Sequence, residues 1–424
     1  MKPINCKSNF MKPVKLFYLA LSIFMLSYQS FACTVAVISG KYTKDGRPLL
    51  WKNRETSYIN NQIMFFKDGK YEYMGLVNSG DIHGKSVWIG QNSTGFAIMN
   101  SASYNLNIGD STKLSGLEGR IIKEALASCK TIQDFEKYLD NLPIPTRLEA
   151  NFGVIDGNGG AAMYELNNKG YVKFDANDPK VAPFGYIIRA NYSFMGSYGD
   201  ESSGYIRYNT TNELFYNAMA TNIFDAQFII QDVTRGLKHS LTKEDLYRDF
   251  ADIPENTPTY TFFYDFIPRR TTSSACVVQG VKKDENPEFT TLWSVVGFPL
   301  TSIVVPTWVK GGYSFPEILK RNEKLQDSPI CYAALTLKKE FFPIRWGRYA
   351  IRNYVNINAL INADGTGIKQ KIQPYENKIF KTTSGKLDKW RLSGMKKTEI
   401  KTYYDELNKD LIKMFNEEFE INLN

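Results

Sequence analysis

The segment Ser30–Gly40, which reads S-F-A-C-T-V-A-V-I-S-G, joins an apolar leader to the first predicted strand. The preceding stretch, Met11–Ala32, has a basic start, an apolar run and small residues at its end, the pattern of a secretory signal peptide. The apolar run is shorter than the ~20 residues that span a bilayer, so a permanent membrane span is disfavoured. We therefore predict that residues 1–32 are removed and that the exported chain, periplasmic or extracellular, begins at Cys33.

A cysteine at a newly formed N-terminus carries both a thiol and a free α-amine. The amine titrates at about 7.7–8.0, which suits a general base at neutral pH, so Cys33 would combine nucleophile and base. Two other interpretations stay open: Cys33 is an ordinary buried strand residue, or it is lipidated. Lipidation would block both groups and leave a cell-surface lipoprotein that binds a ligand without catalysis, using aromatic segments such as Tyr260–Phe266 and Trp293. Ser30 favours ordinary cleavage, because lipoprotein signals usually have an aliphatic residue at that position.

Composition and charge narrow the class of protein. With 43% hydrophobic and 14% aromatic residues, the chain can bury a substantial core. The net charge of +8 falls to about +4 once four leader lysines are removed, and the remaining charges are mixed in sign, so nucleic acid is not an expected partner. No C-x-x-C occurs and only two histidines are present, so neither a metal site nor a cofactor is expected. Cys129 is predicted to be a buried thiol, and pairing of Cys276 with Cys331 is left open.

Strand patterns dominate the first part of the mature chain, with Asp-Gly turn signals at Asp45 and Asp68. A helical stretch follows over Leu114–Leu142, with a T-x-x-D capping box that begins at Thr131. Further strands follow, and the chain ends in a predicted amphipathic helix whose apolar stripe contains Ile400, Tyr404, Leu407, Leu411 and Phe415. No linker or repeat interrupts this order. We predict a single α+β domain of layered sheets over residues 33–424, in which 314–424 form a C-terminal extension.

Seven motifs follow one another along the chain from Cys33: C-T-V-A-V, D-G-R, P-L-L-W-K-N-R-E, G-Q-N-S-T-G-F-A-I-M-N, N-F-G-V-I-D-G-N-G-G, Y-I-I-R-A-N-Y-S-F and S-S-G-Y-I-R-Y. From Cys33 to about Pro306 the chain thereby resembles the N-terminal nucleophile (Ntn) hydrolases. The branch is that of choloylglycine hydrolases, penicillin acyltransferases and N-acylethanolamine acid amidases. The resemblance implies a four-layer αββα sandwich of two mainly antiparallel sheets flanked by helices. It also implies cleavage of a linear amide bond in a small N-acyl amine or N-acyl amino acid through a thioester on Cys33.

The resemblance assigns a role to five further residues. Lys52 matches a basic position and would favour the thiolate, and Glu55 stands where the family usually has an Asp whose carboxylate would hold the terminal amine. Asn100 and Asn191 match the asparagines that stabilise the oxyanion, and Arg207 matches an arginine near the nucleophile. Substrate contacts are expected from Asn53, Arg54 and Phe194. The acyl group is expected to be apolar, whereas the amine, hydrolysis versus acyl transfer, and a possible oligomer stay open.

Overall fold

Two large antiparallel sheets form the framework of this computed structural model, which describes residues 33–110, 117–197, 204–348 and 350–423. In chain order the strands are β1 (Thr34–Ile38), β2 (Leu49–Glu55), β3 (Asn61–Phe66), β4 (Tyr73–Asn78), β5 (Ile89–Asn92), β6 (Ala97–Ala102), β7 (Ala150–Ile155), β8 (Ala161–Asn167), β9 (Gly170–Asp175), β10 (Tyr186–Arg189), β11 (Tyr260–Phe262), β12 (Thr272–Gln279), β13 (Thr291–Val296), β14 (Val304–Thr307) and β15 (Tyr354–Asn356). Sheet I has the order β10-β1-β2-β12-β13-β14, and sheet II contains β3 to β9 in sequence order. Strands β11 and β15 form a separate two-stranded ribbon.

The two sheets pack face to face. Strands β1 and β2 contact β6 and β7 across the interface, and every residue of β1 and β2 is buried. A strand that is buried on both faces needs apolar or fully paired side chains throughout, and this explains the near-continuous T-V-A-V-I and L-L-W sequences. The predicted Asp-Gly turn joins β1 to β2, and Gly46 in that turn has a φ of +75°, a conformation that favours glycine.

Two helices cover the outer face of sheet II: α1 (Leu117–Ser128) and α2 (Ile132–Asp140). The Thr131 side chain accepts a hydrogen bond from Asp134 N, and the Asp134 side chain accepts one from Thr131 N, so the predicted capping box is confirmed. The sequence-based helix over this region is therefore two helices, and its predicted start at Leu114 lies outside the described residues. The ring of Phe135 packs against Phe152 and Tyr164 of the sheet at centroid distances of 6.2 and 5.4 Å.

Four longer helices follow: α3 (Tyr205–Ala220), α4 (Pro329–Phe341), α5 (Ile368–Ser393) and α6 (Lys397–Phe419). Of these, α3, α4 and α5 contact β10, β13 and β14 of sheet I, respectively. α6 contacts the turn Val309–Ser314 that follows β14. Helices thus flank both sheets, and the predicted α+β architecture is confirmed. Among the described residues, no helix combines the length and apolar character needed to cross a bilayer.

The C-terminal helices are tied to sheet I by buried polar contacts. Arg235 donates to both carboxylate oxygens of Glu376 on α5 at 2.5 and 2.7 Å, and Val304 N donates to the same carboxylate. Trp308 N donates to the Tyr404 hydroxyl of α6 at 2.8 Å. The five residues of the predicted apolar stripe of α6 are all buried, as an amphipathic helix requires. These contacts support a single domain from residue 33 to the C-terminus, which stays a prediction.

The thiols at Cys33, Cys129, Cys276 and Cys331 are all buried and free in the described structure. The predicted burial of Cys129 is confirmed, and the pairing of Cys276 with Cys331 that the sequence left open is not formed.

Candidate active site

Strand β2 places four of the predicted site residues on two faces of sheet I, because successive side chains of a strand point to opposite faces. Lys52 and Arg54 point toward sheet II, where Lys52 contacts Asn100 of β6. Arg54 donates to Asn61 and Asn78 of sheet II and lies 4.7 Å from the Trp88 ring centroid.

The other two residues, Asn53 and Glu55, point toward the helical side. Asn53 Nδ2 donates to the carbonyls of Thr234 and Ile267 at 3.3 and 3.4 Å. The buried Asn53 Oδ1 has no hydrogen-bond partner within the described part of the chain. A buried carbonyl oxygen without a donor is unusual, so this acceptor is available to a water or a ligand.

Cys33 directly precedes β1 and is 6% exposed. Its neighbour Thr34 pairs with Asn53, and Val35 pairs with Lys52, so the β1–β2 hairpin brings the thiol beside the charged part of β2. Burial lowers the pKa of Lys52, of Arg54 and of Arg207, and a negative charge on Cys33 opposes the shift in each of them. A thiolate at this position is therefore attracted by three cations.

Lys52 is a buried amine whose pKa lies below that of an ordinary lysine. Its Nζ donates to Asn100 O at 2.6 Å and to Asn100 Oδ1 at 2.7 Å. Burial lowers the pKa of Lys52 to about 8, and the negative charge of a Cys33 thiolate opposes that shift. The ammonium is therefore close to releasing its proton under mildly alkaline conditions.

This shift predicts a pH-dependent stability difference between the wild-type chain and Lys52→Met. The native state releases the Lys52 proton at about 8, whereas a lysine in the unfolded chain holds it to about 10.5. The unfolded state therefore binds more protons between these values, and the wild type gains stability relative to Lys52→Met as the pH rises, by up to about 1.4 kcal/mol per pH unit. Urea unfolding at several pH values between these limits measures the gain. For the exposed Lys401→Met control the difference from wild type should stay constant, and a constant difference for Lys52→Met would contradict the shifted titration.

Glu55 connects two arginines beneath the thiol. Its Oε1 lies 3.2 Å from Arg207 Nη1 and its Oε2 lies 3.2 Å from Arg269 Nη1, and the Glu55 and Arg207 side chains are almost completely buried. Burial raises the pKa of Glu55 and lowers that of Arg207, and their ion pair opposes both shifts. Both carboxylate oxygens are thus engaged by guanidinium groups, and the expected hold of Glu55 on the terminal amine stays a prediction.

Arg207 joins this ion pair to the nucleophile strand and to Asn191. Its Nη1 donates to Thr34 Oγ1 at 2.6 Å, and its Nη2 donates to Asn191 Oδ1 at 3.1 Å. The predicted proximity of Arg207 to the nucleophile thus has a physical basis, because it bonds the residue that follows Cys33.

Both predicted oxyanion asparagines have their amide oxygens held by cations. Lys52 donates a hydrogen bond to Asn100 Oδ1, and Arg207 donates one to Asn191 Oδ1. Because lysine and arginine side chains only donate, the NH₂ group of each amide must point away from the cation. One N–H of Asn191 donates to Ala102 O at 3.0 Å. The two cations therefore fix the orientation of both amide groups.

The segment after Asn191 is fixed by Glu165, whose carboxylate accepts from Phe194 N, Met195 N and Arg189 Nε at 2.6 to 2.9 Å. The Phe194 ring lies 3.9 Å from the Arg189 guanidinium carbon and is 53% exposed. Phe194 is thus an accessible side chain on an anchored segment, and its predicted contact with substrate stays a prediction, as do those of Asn53 and Arg54.

Two residues of the site were missed by the sequence reasoning. Arg269 is the second partner of Glu55, and Tyr104 has a pKa raised mainly by burial and further by charge on Cys33 and on Glu55. The Arg-Arg pair after the aromatic segment 260–266, and the tyrosine four residues after Asn100, were the available signals. Across the described residues, no cluster of His, Cys, Asp or Glu has an arrangement that could hold a metal ion.

No family model and no curated protein matches this chain. Among solved structures, a variant of conjugated bile acid hydrolase from Clostridium perfringens is 12% identical, with 65% of this chain and 92% of that chain covered and a TM-score of 0.40. Penicillin V acylase from Agrobacterium tumefaciens is 13% identical, with coverage of 65% and 86% and a TM-score of 0.38. A Caenorhabditis elegans N-acylethanolamine-hydrolyzing acid amidase ortholog is 14% identical, with coverage of 46% and 86% and a TM-score of 0.34.

Proposed function

We propose that this chain is an exported cysteine amide hydrolase of the N-terminal nucleophile type, which cleaves the linear amide bond of a small N-acyl amine or N-acyl amino acid. The observation that carries the proposal is the arrangement around Cys33. A thiol at the start of β1 lies among three cations, two of which orient asparagine amides. Such a set of donors is what acyl transfer requires where negative charge develops.

In the first step the Cys33 sulfur attacks the amide carbonyl while the α-amine, freed by cleavage after Ala32, takes the thiol proton. Lys52 and Arg207 favour the thiolate, and the NH₂ groups of Asn100 and Asn191 donate to the oxyanion. When the C–N bond breaks, the α-amine returns the proton to the leaving amine. The acyl group is left on Cys33 as a thioester.

In the second step water, or another amine, attacks the thioester and passes its proton to the same α-amine. The C–S bond breaks, the α-amine returns that proton to the Cys33 sulfur, and the free acid, or a new amide, leaves. Phe194 and the aromatic residues near it favour an apolar acyl group, since small-molecule sites are mostly apolar. Asn53 and Arg54 remain proposed contacts for the polar part of the substrate.

The experiment that tests the proposal has two readouts on the mature protein. Mass spectrometry of its N-terminus should show an unmodified Cys33. A panel of N-acyl amides with one acyl chain and varied amines should yield at least one hydrolysed member. A diacylglyceryl mass on Cys33 would support the surface lipoprotein instead, and a chain with a free Cys33 that turns over no member of the panel would overturn the hydrolase.

A further inference from the structure

The solvent-facing side of the two-stranded ribbon β11–β15 carries aromatic side chains, which is unusual for a surface that contacts only water. Residues alternate between its faces: Phe263, which follows β11, and Val355 are buried, whereas Tyr260, Phe262 and Tyr354 are 42–54% exposed. The outward face of such a ribbon is usually polar, because that face meets solvent. Here it consists of aromatic rings, and Phe262 lies 5.4 Å from Tyr354, to which it is paired.

Further exposed apolar side chains lie in the loop that leads into β15. Ile351 N donates to Arg348 O, and Gly347 lies against the Ile351 side chain, which is itself exposed. Next to Gly347, Trp346 is 87% exposed, whereas four of the other tryptophans are buried. We call Tyr260, Phe262, Tyr264, Trp346, Ile351 and Tyr354 the aromatic strip.

The charge around Trp346 is positive, whereas the acidic residues nearest along the chain to the β11 part of the aromatic strip, Glu255 and Asp265, lie just outside it. No Asp or Glu occurs between Glu340 and Asp364, whereas Arg345 and Arg348 flank Trp346 and both are exposed. The segment 256–264, which contains β11, has no acidic residue either. The partner that suits this surface is therefore both anionic and apolar.

We propose that the aromatic strip docks this protein onto the surface of a bilayer that contains anionic phospholipid. Exposed aromatic rings insert at the level of the headgroups, and arginines pair with lipid phosphates, the combination that anchors proteins at membrane interfaces. A second copy of this chain is a poorer occupant, because a two-fold contact between two such surfaces would bring Arg345 and Arg348 of both copies into one interface.

The aromatic strip reaches the candidate active site through three contacts. The ring centroids of Phe262 and Tyr264 are 5.9 Å apart, and the Arg269 guanidinium carbon lies 5.7 Å from the Tyr264 ring centroid. Arg269 in turn forms an ion pair with Glu55. Docking would therefore present lipid-dissolved amides close to Cys33. This consequence rests on the proposed function, whereas docking itself does not.

The test is co-sedimentation of the mature chain with two kinds of vesicle: phosphatidylglycerol and phosphatidylcholine in equal parts, and phosphatidylcholine alone. Mass spectrometry first verifies that the protein carries no covalent lipid. We expect partitioning into the anionic vesicles that weakens with added salt, together with a blue shift of tryptophan emission that Trp346→Phe removes. The pair Arg345→Gln with Arg348→Gln should weaken partitioning by about tenfold or more. Phe262→Ser with Tyr354→Ser should also weaken it.

Matched controls lie elsewhere on the surface. Leu392→Ala removes an apolar side chain that is 92% exposed at the end of α5, and Lys401→Gln with Lys413→Gln removes the same charge from α6. Both should partition like the wild type, and Cys33→Ser should too, which separates docking from catalysis. The proposal would be overturned by equal partitioning to both vesicle types or by no partitioning. It would also be overturned if the wild type bound no vesicles and formed a dimer that the Phe262→Ser and Tyr354→Ser variant converts to a monomer.

Discussion

Cys33→Ser should retain the fold and lose nearly all turnover of an N-acyl amide, with kcat/KM falling by at least about 10³-fold. A hydroxyl holds its proton far more tightly than a thiol, so the cations that favour a thiolate at this position cannot produce a comparable alkoxide. The rate is measured on whichever amide the wild type hydrolyses, and the fold is checked by circular dichroism and urea unfolding. In the wild type alone, intact mass during turnover should show an acyl adduct that hydroxylamine removes.

The matched control is Cys129→Ser, which makes the same change at a buried thiol behind sheet II. It should alter stability only modestly and leave kcat/KM unchanged, because Cys129 lies in the packing between α1 and the sheet. Full activity of Cys33→Ser would remove Cys33 from the mechanism, and equal losses in the two variants would point to a general effect of serine in the core.

Glu55→Gln should destabilise the protein by about 3–5 kcal/mol, because it removes the buried carboxylate that pairs with both Arg207 and Arg269. Activity should fall as well, since Arg207 holds both Thr34 and Asn191. The free energy of unfolding in urea and kcat/KM are the two measurements.

Glu317→Gln provides the comparison for Glu55→Gln, because it makes the same chemical change in a pair with Lys320 at the surface. Glu317 is mostly exposed, and a pair of this kind contributes about 0–1 kcal/mol. A loss of that size for Glu55→Gln would show that the two arginines find other partners and that Glu55 is not the centre of the arrangement.

Local patterns predicted much of this architecture. The Asp-Gly turns, the Thr131 capping box and the stripe of α6 are fixed by residues a few positions apart, and each is found where the sequence indicated. Lys52 and Arg207 could be identified from the sequence because the order of the motifs after Cys33 resembles that of a known family. Their contacts could not be predicted, since Arg207 reaches Thr34 across 173 residues.

Features that depend on distant pairing were not visible in the sequence. Arg269 is separated from Glu55 by about half of the chain, and Arg235 meets Glu376 across 141 residues. The helices α4 and α5 lie in the region beyond the resemblance, and α5 even contains Pro374. A proline inside a helix argues against that helix locally, so only its packing on sheet I explains it.

The alternation along β2 has a consequence for recognising relatives of this protein. Lys52 and Glu55 are three positions apart, an odd spacing, and this alone sends one toward sheet II and the other toward the helices. Insertion of one residue between Trp51 and Lys52 would exchange the two environments, whereas replacement of either residue by another of the same charge would not. Distant relatives are therefore better sought by the odd or even parity of charged positions along the second strand than by residue identity.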